Sequence, residues 1–233
     1  MDKTVLITGA AGMVGSHVVD ALLKKGGYRI LLFLRWQENM QNIEHLFHRS
    51  VAEPEAFELI YGDLRDRTSI AQCFQRFEVD YVYHLGAQSY PMTSFDNAYE
   101  TYTSNILGTE NLLSCVKEYS STSRVLNCSS SEVFGRVTED KLPIAEDCSF
   151  HPASPYAISK VGTDLIGRFY GEAYDMPVFT TRMFTHTGPR RGDVFAESTF
   201  AKQIAMAESG LKDMNIRTGN LDSLRTWADV RDA

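Results

Sequence analysis

A tyrosine and a lysine four residues apart are the strongest candidates for proton chemistry. Tyr156 and Lys160 follow Ser154-Pro155, which favours a helix N-terminus because serine caps the first turn and proline fits its backbone. On such a helix the two side chains share a face. A lysine ammonium beside a phenol lowers the phenol's pKa from about 10, so Tyr156 could accept a proton near neutral pH. The same spacing also arises by chance, and its weight depends on the rest of the chain.

A serine and glutamate cluster is the second candidate for chemistry. Ser130, Ser131 and Glu132 follow an apolar strand predicted at 125–128, and Glu132 stands 24 residues before Tyr156. A serine hydroxyl there can hydrogen-bond a substrate oxygen, and the carboxylate can move a second proton that the tyrosine does not handle. A solvated polar turn is the alternative. The combination with Tyr156 and Lys160 favours the functional interpretation.

The start of the chain predicts a turn that binds phosphate. A short apolar strand at 4–8 runs into three glycines spaced three apart, and an apolar helical pattern follows. Glycines in this context let backbone N–H groups approach a pyrophosphate at a helix N-terminus. A tight turn without a ligand is the alternative. We expect cofactor contacts from Gly9, Gly12, Met13, Val14 and Gly15.

Residues at the ends of later strands extend the predicted cofactor site. Arg35 follows a strand at 29–34, where an arginine suits the 2′-phosphate of NADP; a solvated loop charge is the alternative. Asp63 follows a strand at 57–61, where it could accept from an adenine amine or, equally, cap a helix at 67–77. A strand predicted at 81–85 is followed by residues 86–89, most of which have small side chains and would leave room for a cofactor. Further contacts are expected from Leu64, Leu85, Ala87 and Ser89.

Alternating strands and helices from residue 4 onward predict a doubly wound parallel α/β sheet. Asn105 and Thr109 are polar positions in a helix predicted at 98–119, where they could satisfy buried backbone groups. His84 has no cysteine or histidine partner nearby and is interpreted as structural; no metal site is expected. The pattern ends with helices at 155–174 and 195–209 and strands at 178–184 and 214–217.

Composition narrows the class of protein and its partners. The chain of 233 residues is 43% hydrophobic and 23% charged, which is typical of a globular protein with a full core. Its net charge of −7 argues against nucleic acid or an anionic membrane as partner. We expect neither a signal peptide nor a membrane span. The spacing of Cys73, Cys115, Cys128 and Cys148 fits neither a zinc site nor a disulfide framework, Cys128 is expected to be buried, and the expected compartment is the cytoplasm.

Several motifs together resemble the extended short-chain dehydrogenase/reductase family, whose members act on nucleotide sugars. They are Gly9-x-x-Gly12-x-x-Gly15, Gly62-Asp63-Leu64, Asn105, Ser130 and Tyr156-x-x-x-Lys160. Within that family, further stretches resemble the GDP-mannose 4,6-dehydratases. These stretches are 42–46, 57–64, 85–89, 94–95, 131–132, 189–192 and 219–222. The resemblance covers essentially the whole chain.

The resemblance implies bound NADP and a nucleotide-sugar substrate, with GDP-mannose as the expected one. Tyr156 would take the proton of the sugar's 4-hydroxyl while NADP accepts a hydride from carbon 4. Glu132 would remove the proton at carbon 5, water would leave from carbon 6, and the hydride would return there. Lys160 would tune Tyr156 and hold the nicotinamide ribose, and Ser130 would hydrogen-bond the 4-oxygen. The product is a 4-keto-6-deoxy sugar.

The remaining site residues and the domains are also expected from this resemblance. NADP would be bound by Tyr156, Lys160, His186 and Arg191, in addition to the residues above. Substrate contacts are expected from Ser89, Ser131, Arg190 and Arg225; a solvated turn is the alternative for the adjacent arginines. We expect an NADP-binding Rossmann domain at 1–185, a partial substrate-binding lobe at 186–233, and assembly into a homodimer or homotetramer.

Departures from the dehydratase pattern leave other functions open. Residues 185–188 and 227–232 resemble the partner reductase that reduces the 4-keto product. Glu132 does not decide between them, since decarboxylases of UDP-glucuronate and some reductases carry glutamate there. The family usually exceeds 300 residues, so only part of the sugar-binding lobe is expected in this chain. The alternatives are a reductase or epimerase of a 4-keto-6-deoxy nucleotide sugar, and a non-catalytic NADP-binding protein.

Overall fold

The computed structural model describes residues 3–52, 55–222 and 224–233 and divides into two compact units, Met1–Met183 and Phe184–Ala233. The strands of the first unit are β1 (Lys3–Thr8), β2 (Tyr28–Leu34), β3 (Phe57–Tyr61), β4 (Tyr81–His84), β5 (Arg124–Cys128) and β6 (Val178–Thr181). Its helices are α1 (Met13–Lys25), α2 (His45–Ala52), α3 (Arg67–Arg76), α4 (Pro91–Asp96), α5 (Ala98–Tyr102), α6 (Gly108–Tyr119) and α7 (Pro155–Tyr174).

The six strands form one parallel sheet in the order β3-β2-β1-β4-β5-β6. Alternate residues of β1 serve opposite faces of the sheet: Leu6 packs in one apolar cluster with α3 and α6, and Val5 and Ile7 pack in another with α1. Burial on both faces explains why the strand is a continuous apolar run. The prediction of a doubly wound parallel sheet is confirmed.

The order in which successive strands are added reverses between β1 and β4. From β1 the chain adds β2 and β3 on one side, and then β4, β5 and β6 on the other. All six strands run the same way, so their carboxyl ends meet at one edge of the sheet. Open parallel sheets bind ligands in the crevice at such a point. The glycine-rich turn follows β1 and the predicted small residues follow β4, so both border this crevice.

The helix predicted at 98–119 differs from expectation in its middle. The residues between α5 and α6, Thr103–Leu107, form a π-helical turn. The carbonyl of Asn105, within this turn, accepts from the hydroxyls of Thr109 at 2.6 Å and Thr163 at 3.1 Å. Side-chain donors thus take part in satisfying a helical carbonyl, as is common where helices widen.

The structure excludes one of the alternatives and contradicts two local expectations. Helix α3 is capped by Asp66, whose carboxylate accepts from Thr68 N at 2.9 Å, so Asp63 is not the cap. The strand predicted at 214–217 is absent from the described chain, because the Gln203 amide takes both backbone groups of Arg217. Cys128 is only partly buried.

The described part of the second unit, residues 184–222 and 224–233, contains two short strands and one helix. These are β7 (His186–Thr187), α8 (Ala196–Glu208) and β8 (Ala228–Asp229), and the two strands pair in parallel. Within the described ranges of both units, no helix is long and apolar enough to cross a membrane.

Candidate active site

Helix α7 carries Tyr156 and Lys160 on a buried face. Ser154 caps the helix through a hydrogen bond from Ala157 N at 3.0 Å, as predicted. Tyr156 is 9% exposed, and its backbone N–H donates to the Ser94 hydroxyl at 3.1 Å. The first turn of α7 is therefore docked on α4, which fixes the direction of the helix at the point where the tyrosine projects.

Lys160 connects α7 to the end of β5. Its ammonium Nζ donates to the Cys128 carbonyl at 2.8 Å, and the Ser129 hydroxyl donates to the Lys160 carbonyl at 3.1 Å. The side chain is 5% exposed, and burial lowers the pKa of the Lys160 ammonium. The lysine thus fixes the helix beside the strand from which Ser130 and Glu132 follow.

Residues 130–134 form a tight turn, the serine–glutamate turn, directly after β5. Ser130 caps it by accepting from Glu132 N at 3.2 Å. Ser131 N donates to the Met183 carbonyl at 3.0 Å. Gly135 closes the turn with a φ of 59°, and a Cβ there would lie 1.7 Å from a backbone oxygen, so only glycine fits. Ser130 is buried, and Ser131 and Glu132 are half-buried.

The glycine-rich turn between β1 and α1 is closely packed against itself. Gly12 N donates to the Gly9 carbonyl at 3.0 Å, and Gly9 has a φ of 70°. A Cβ at Gly15 would lie 2.2 Å from that carbonyl oxygen. Met13 and Val14 are half-buried at the start of α1. The first turn of this helix carries no acidic side chain, which keeps its positive dipole end suited to an anion.

The strand ends after β1, β3 and β4 come together. A Cβ at Gly9 would lie 2.8 Å from Gly86 Cα, and one at Gly86 would lie 3.0 Å from the Leu64 side chain. Leu85 and Ala87, on either side of Gly86, are half-buried, whereas Ser89 is exposed. The predicted cofactor residues of three separate strands therefore border one region.

Charged residues follow β2 and β3. Arg35 pairs with Glu38 at 3.0 Å, and this hydrogen bond raises the pKa of the Arg35 guanidinium. Asp63 pairs with Arg65 at 2.6 Å, and this contact holds the pKa of the Asp63 carboxyl below its usual value. Arg35 and Arg65 both interact electrostatically with Asp63. The sequence analysis did not identify Arg65, for which an arginine two residues after the strand-end aspartate was the available signal.

A buried polar network connects the ends of β1 and β4 with α6 and α7. His84 is 4% exposed; its Nδ1 contacts the Thr8 hydroxyl at 2.9 Å and its Nε2 the Thr109 hydroxyl at 3.0 Å. Burial, with the nearby Lys160 charge, lowers the pKa of His84 to about 3. Asn105 bonds both backbone groups of Gln88 and the Ser159 hydroxyl of α7. Among the described residues, no group of three or more His, Cys, Asp or Glu side chains could hold a metal ion.

The other predicted site residues lie in the second unit. His186 begins β7 and is half-buried. Arg190 has a φ of 70°, which is uncommon for a residue with a side chain. Arg191 pairs with Glu197 at 3.0 Å, and Arg225 is exposed. The predicted site residues up to Lys160 thus lie in the first unit, and these four lie in the second.

Comparison with known proteins gives consistent matches. A profile of the family described as GDP-mannose 4,6 dehydratase matches residues 6–233. The GDP-mannose 4,6-dehydratase of Vibrio cholerae is 34% identical over 236 residues, covering 100% of this chain and 62% of the relative. DesIV of Streptomyces venezuelae, a dTDP-glucose 4,6-dehydratase solved with NAD, superposes with a TM-score of 0.80 at 27% identity. The match covers 98% of this chain and 69% of the DesIV chain. RMD from Pseudomonas aeruginosa, solved with NADPH, has a TM-score of 0.79 at 29% identity, with 99% and 70% covered.

The parallel sheet, the glycine-rich turn and the buried Tyr156 and Lys160 define an extended short-chain dehydrogenase/reductase. Within that class the chain belongs to the GDP-mannose 4,6-dehydratase family, as its motifs indicated. It spans about 62% of the length of the Vibrio relative.

Proposed function

We propose that the protein is an NADP-dependent nucleotide-sugar 4,6-dehydratase that acts on GDP-mannose. The observation that carries this proposal is the direct attachment of the Tyr156 and Lys160 helix to the strand end that bears Ser130 and Glu132. Lys160 makes both contacts, through its ammonium and its carbonyl. A proton acceptor for a hydroxyl and a carboxylate for a carbon-bound proton then stand on adjoining elements.

The residues of the glycine-rich turn fit a dinucleotide. Gly9 and Gly15 are positions where a Cβ would collide with backbone, and the start of α1 offers backbone N–H groups to a pyrophosphate. Arg35, at the end of β2, would bind the 2′-phosphate of NADP after exchanging its contact with Glu38. Both NAD and NADPH occur in the similar structures, and Arg35 is the reason for proposing NADP. When bound, the nicotinamide supplies an acceptor and donor of hydride.

The chain's own residues would handle the protons of the reaction. Tyr156, as a phenolate that the neighbouring Lys160 ammonium stabilises, accepts the proton of the 4-hydroxyl. Ser130 donates to the 4-oxygen as it becomes a carbonyl. That carbonyl acidifies the proton at carbon 5, which Glu132 removes and passes to the departing 6-hydroxyl as water. The hydride taken from carbon 4 ends on carbon 6, carbon 5 takes back a proton, and Tyr156 gives up the proton that it accepted, so the sum is loss of one water.

A second candidate is a reductase of a 4-keto-6-deoxy nucleotide sugar. The two segments that resemble such reductases, 185–188 and 227–232, contain β7 and β8, which pair with each other. An epimerase of the same substrate class and a non-catalytic NADP-binding protein are the remaining alternatives. Fold alone does not separate them, because one scaffold hosts many reactions.

The deciding experiment supplies the purified chain with NADP and GDP-mannose and no reductant. The proposal predicts loss of one water from the sugar nucleotide by mass spectrometry, without net change in NADPH. If GDP-mannose is unchanged while a 4-keto-6-deoxy sugar nucleotide oxidises NADPH, the reductase replaces the dehydratase. NADP binding without sugar-nucleotide binding would favour the non-catalytic alternative.

We also propose a homodimer or homotetramer in the cytoplasm. Helix α7 exposes three apolar side chains, Ile158, Leu165 and Phe169, on its outer side. Such a stripe on a monomer suggests an interface. Light scattering after gel filtration should give a dimer or tetramer, and Phe169→Glu should shift it toward monomer. A monomeric wild type would contradict this proposal. The cysteine spacing, which suits neither disulfides nor zinc, supports a reducing compartment.

A further inference from the structure

A buried ion pair joins α7, the helix that carries Tyr156 and Lys160, to the residue that follows β6. Asp164 is on α7, one turn beyond Lys160 and on the side that also carries Tyr156, and its side chain is 2% exposed. Arg182 follows β6 and meets both carboxylate oxygens: Nε donates to Oδ2 at 2.8 Å and Nη2 to Oδ1 at 3.0 Å. A two-point contact of this kind fixes the orientation of the guanidinium as well as its position.

The same guanidinium contacts the serine–glutamate turn and the loop that follows it. Its Nη1 donates to the Glu146 carbonyl at 2.6 Å. Its Cζ lies 4.8 Å from the ring centre of Phe150 and 5.6 Å from that of Phe134, within the range of cation–π attraction. Phe134 is the last residue of the turn. Arg182 therefore joins α7, the turn and the following loop.

The backbone on either side of Arg182 holds the start of the same turn. Ser129 N donates to the Thr181 carbonyl at 2.8 Å, and Ser131 N donates to the Met183 carbonyl at 3.0 Å. The hydrogen bonds between β5 and β6 thus continue past the strand ends into the turn. Arg182 lies between the two accepting residues, so movement of its side chain would be transmitted to the turn.

We propose that Arg182 is a positioning residue that anchors the serine–glutamate turn to Asp164 on α7 and so fixes Glu132 relative to Tyr156. The proposal rests on the function proposed above, in which these two groups take protons from one sugar ring. Both must reach neighbouring positions of that ring at once, so a loose turn would impair proton removal at carbon 5. Oxidation at carbon 4, which depends on Tyr156, would continue.

Amide hydrogen exchange of the ligand-free protein tests the anchor itself. Arg182→Met should speed exchange in residues 129–135 and leave residues 9–15 unchanged. Arg182→Lys, which keeps a charge but only one contact, should give an intermediate rate. The matched control is Arg168→Met. It removes an exposed ion pair with Glu172 on α7, the helix that carries Asp164, and should leave the exchange rates of both segments unchanged.

Steady-state and rapid-mixing kinetics with GDP-mannose test the consequence. Arg182→Met should lower kcat for water loss about 100-fold, because displacement of a reacting group by about 1 Å has effects of that size. KM should stay within about twofold, and Arg182→Lys should partly restore kcat. Absorbance at 340 nm should accumulate in Arg182→Met, because oxidation at carbon 4 outpaces proton removal at carbon 5.

Each result decides the proposal. Unchanged exchange in residues 129–135 would overturn the anchor, whatever the substrate. The positioning role would be overturned if Arg182→Met showed faster exchange in the turn but the same kcat and the same 340 nm signal as the control Arg168→Met. If Arg182→Met does not fold, Phe150→Leu, which leaves the ion pair in place, should show the same pattern more weakly, and its absence would overturn the proposal. A wild type that leaves GDP-mannose unchanged refutes the proposed function, and the exchange experiment still decides the anchor.

Discussion

His84 should make the native protein sensitive to acid well above the pH at which most carboxylates titrate. The Thr109 hydroxyl donates to the Asn105 carbonyl, so it accepts from His84 Nε2–H, and Nδ1 then accepts from the Thr8 hydroxyl. Thr8 in turn accepts from Gly86 N. The neutral imidazole satisfies every partner, whereas a second proton would face a hydroxyl already oriented toward the ring. Burial and this geometry both oppose the charge.

The size of the effect follows from the lowered pKa. His84 has a pKa of about 3 in the native protein, against an ordinary value of 6.5. Between these values the unfolded chain binds the proton and the native protein does not, so stability rises with pH in this window. At about pH 5, His84 should therefore cost about 2 kcal/mol of unfolding free energy relative to pH 8.

Urea unfolding of wild type and His84→Gln between about pH 8 and pH 5, without nucleotide, measures this contribution. The variant loses hydrogen bonds at every pH, but the difference between the two proteins should shrink by about 2 kcal/mol toward pH 5. In the native wild type, the His84 ring resonances should not titrate above about pH 4. Parallel pH dependences, or a native His84 titration near pH 6, would refute the reasoning.

Three further predictions concern the proposed cofactor and catalytic residues. Gly15→Ala places a methyl 2.2 Å from the Gly9 carbonyl oxygen, and the overpacking should weaken NADP binding about tenfold or more in a calorimetric titration; unchanged affinity would contradict the close packing. Arg35→Asp should weaken NADP binding at least about tenfold more than NAD binding, with Arg29→Gln at the other end of β2 as control; equal losses would remove the 2′-phosphate argument. Glu132→Gln should still oxidise the sugar at carbon 4, seen at 340 nm, but should release no water; normal turnover would show that Glu132 is not the base.

The sheet could be predicted from sequence because β1 and β2 are buried on both faces. Runs such as residues 5–7 and 30–34 are apolar without alternation, and polar residues, glycines or turns follow at their ends. The helix after Ser154-Pro155 was predictable for a local reason as well, since the cap and the proline lie within its first turn. Signals of this kind need only neighbouring residues.

Contacts between distant segments could not be predicted in the same way. The hydroxyl of Ser94 meets the backbone of Tyr156 from 62 residues away, and the Cys128 carbonyl meets Lys160 from 32 residues away. Neither partner differs in sequence from an ordinary turn or strand residue. They become specific only when the sheet register places α4 and β5 beside α7.

The cap of α3 shows where local rules compete, and a buried ion pair shows a signal that the sequence analysis missed. Asp63 and Asp66 both precede α3, and the cap went to the aspartate adjacent to the helix, while Asp63 paired with Arg65. The Arg182 and Asp164 pair did leave a signal in the sequence. An aspartate four residues after Lys160 on the buried side of a helix requires a buried cation, because an unpaired charge there would be costly.

The most direct test of the proposed function follows one hydrogen atom. The protein, with NADP, is given GDP-mannose that carries deuterium at carbon 4, and the product is analysed by mass spectrometry and NMR. A 4,6-dehydratase should release one water and move the deuterium to the methyl group at carbon 6 of the same molecule. Deuterium that remains at carbon 4, in a sugar nucleotide that has lost no water, would contradict the proposed dehydratase.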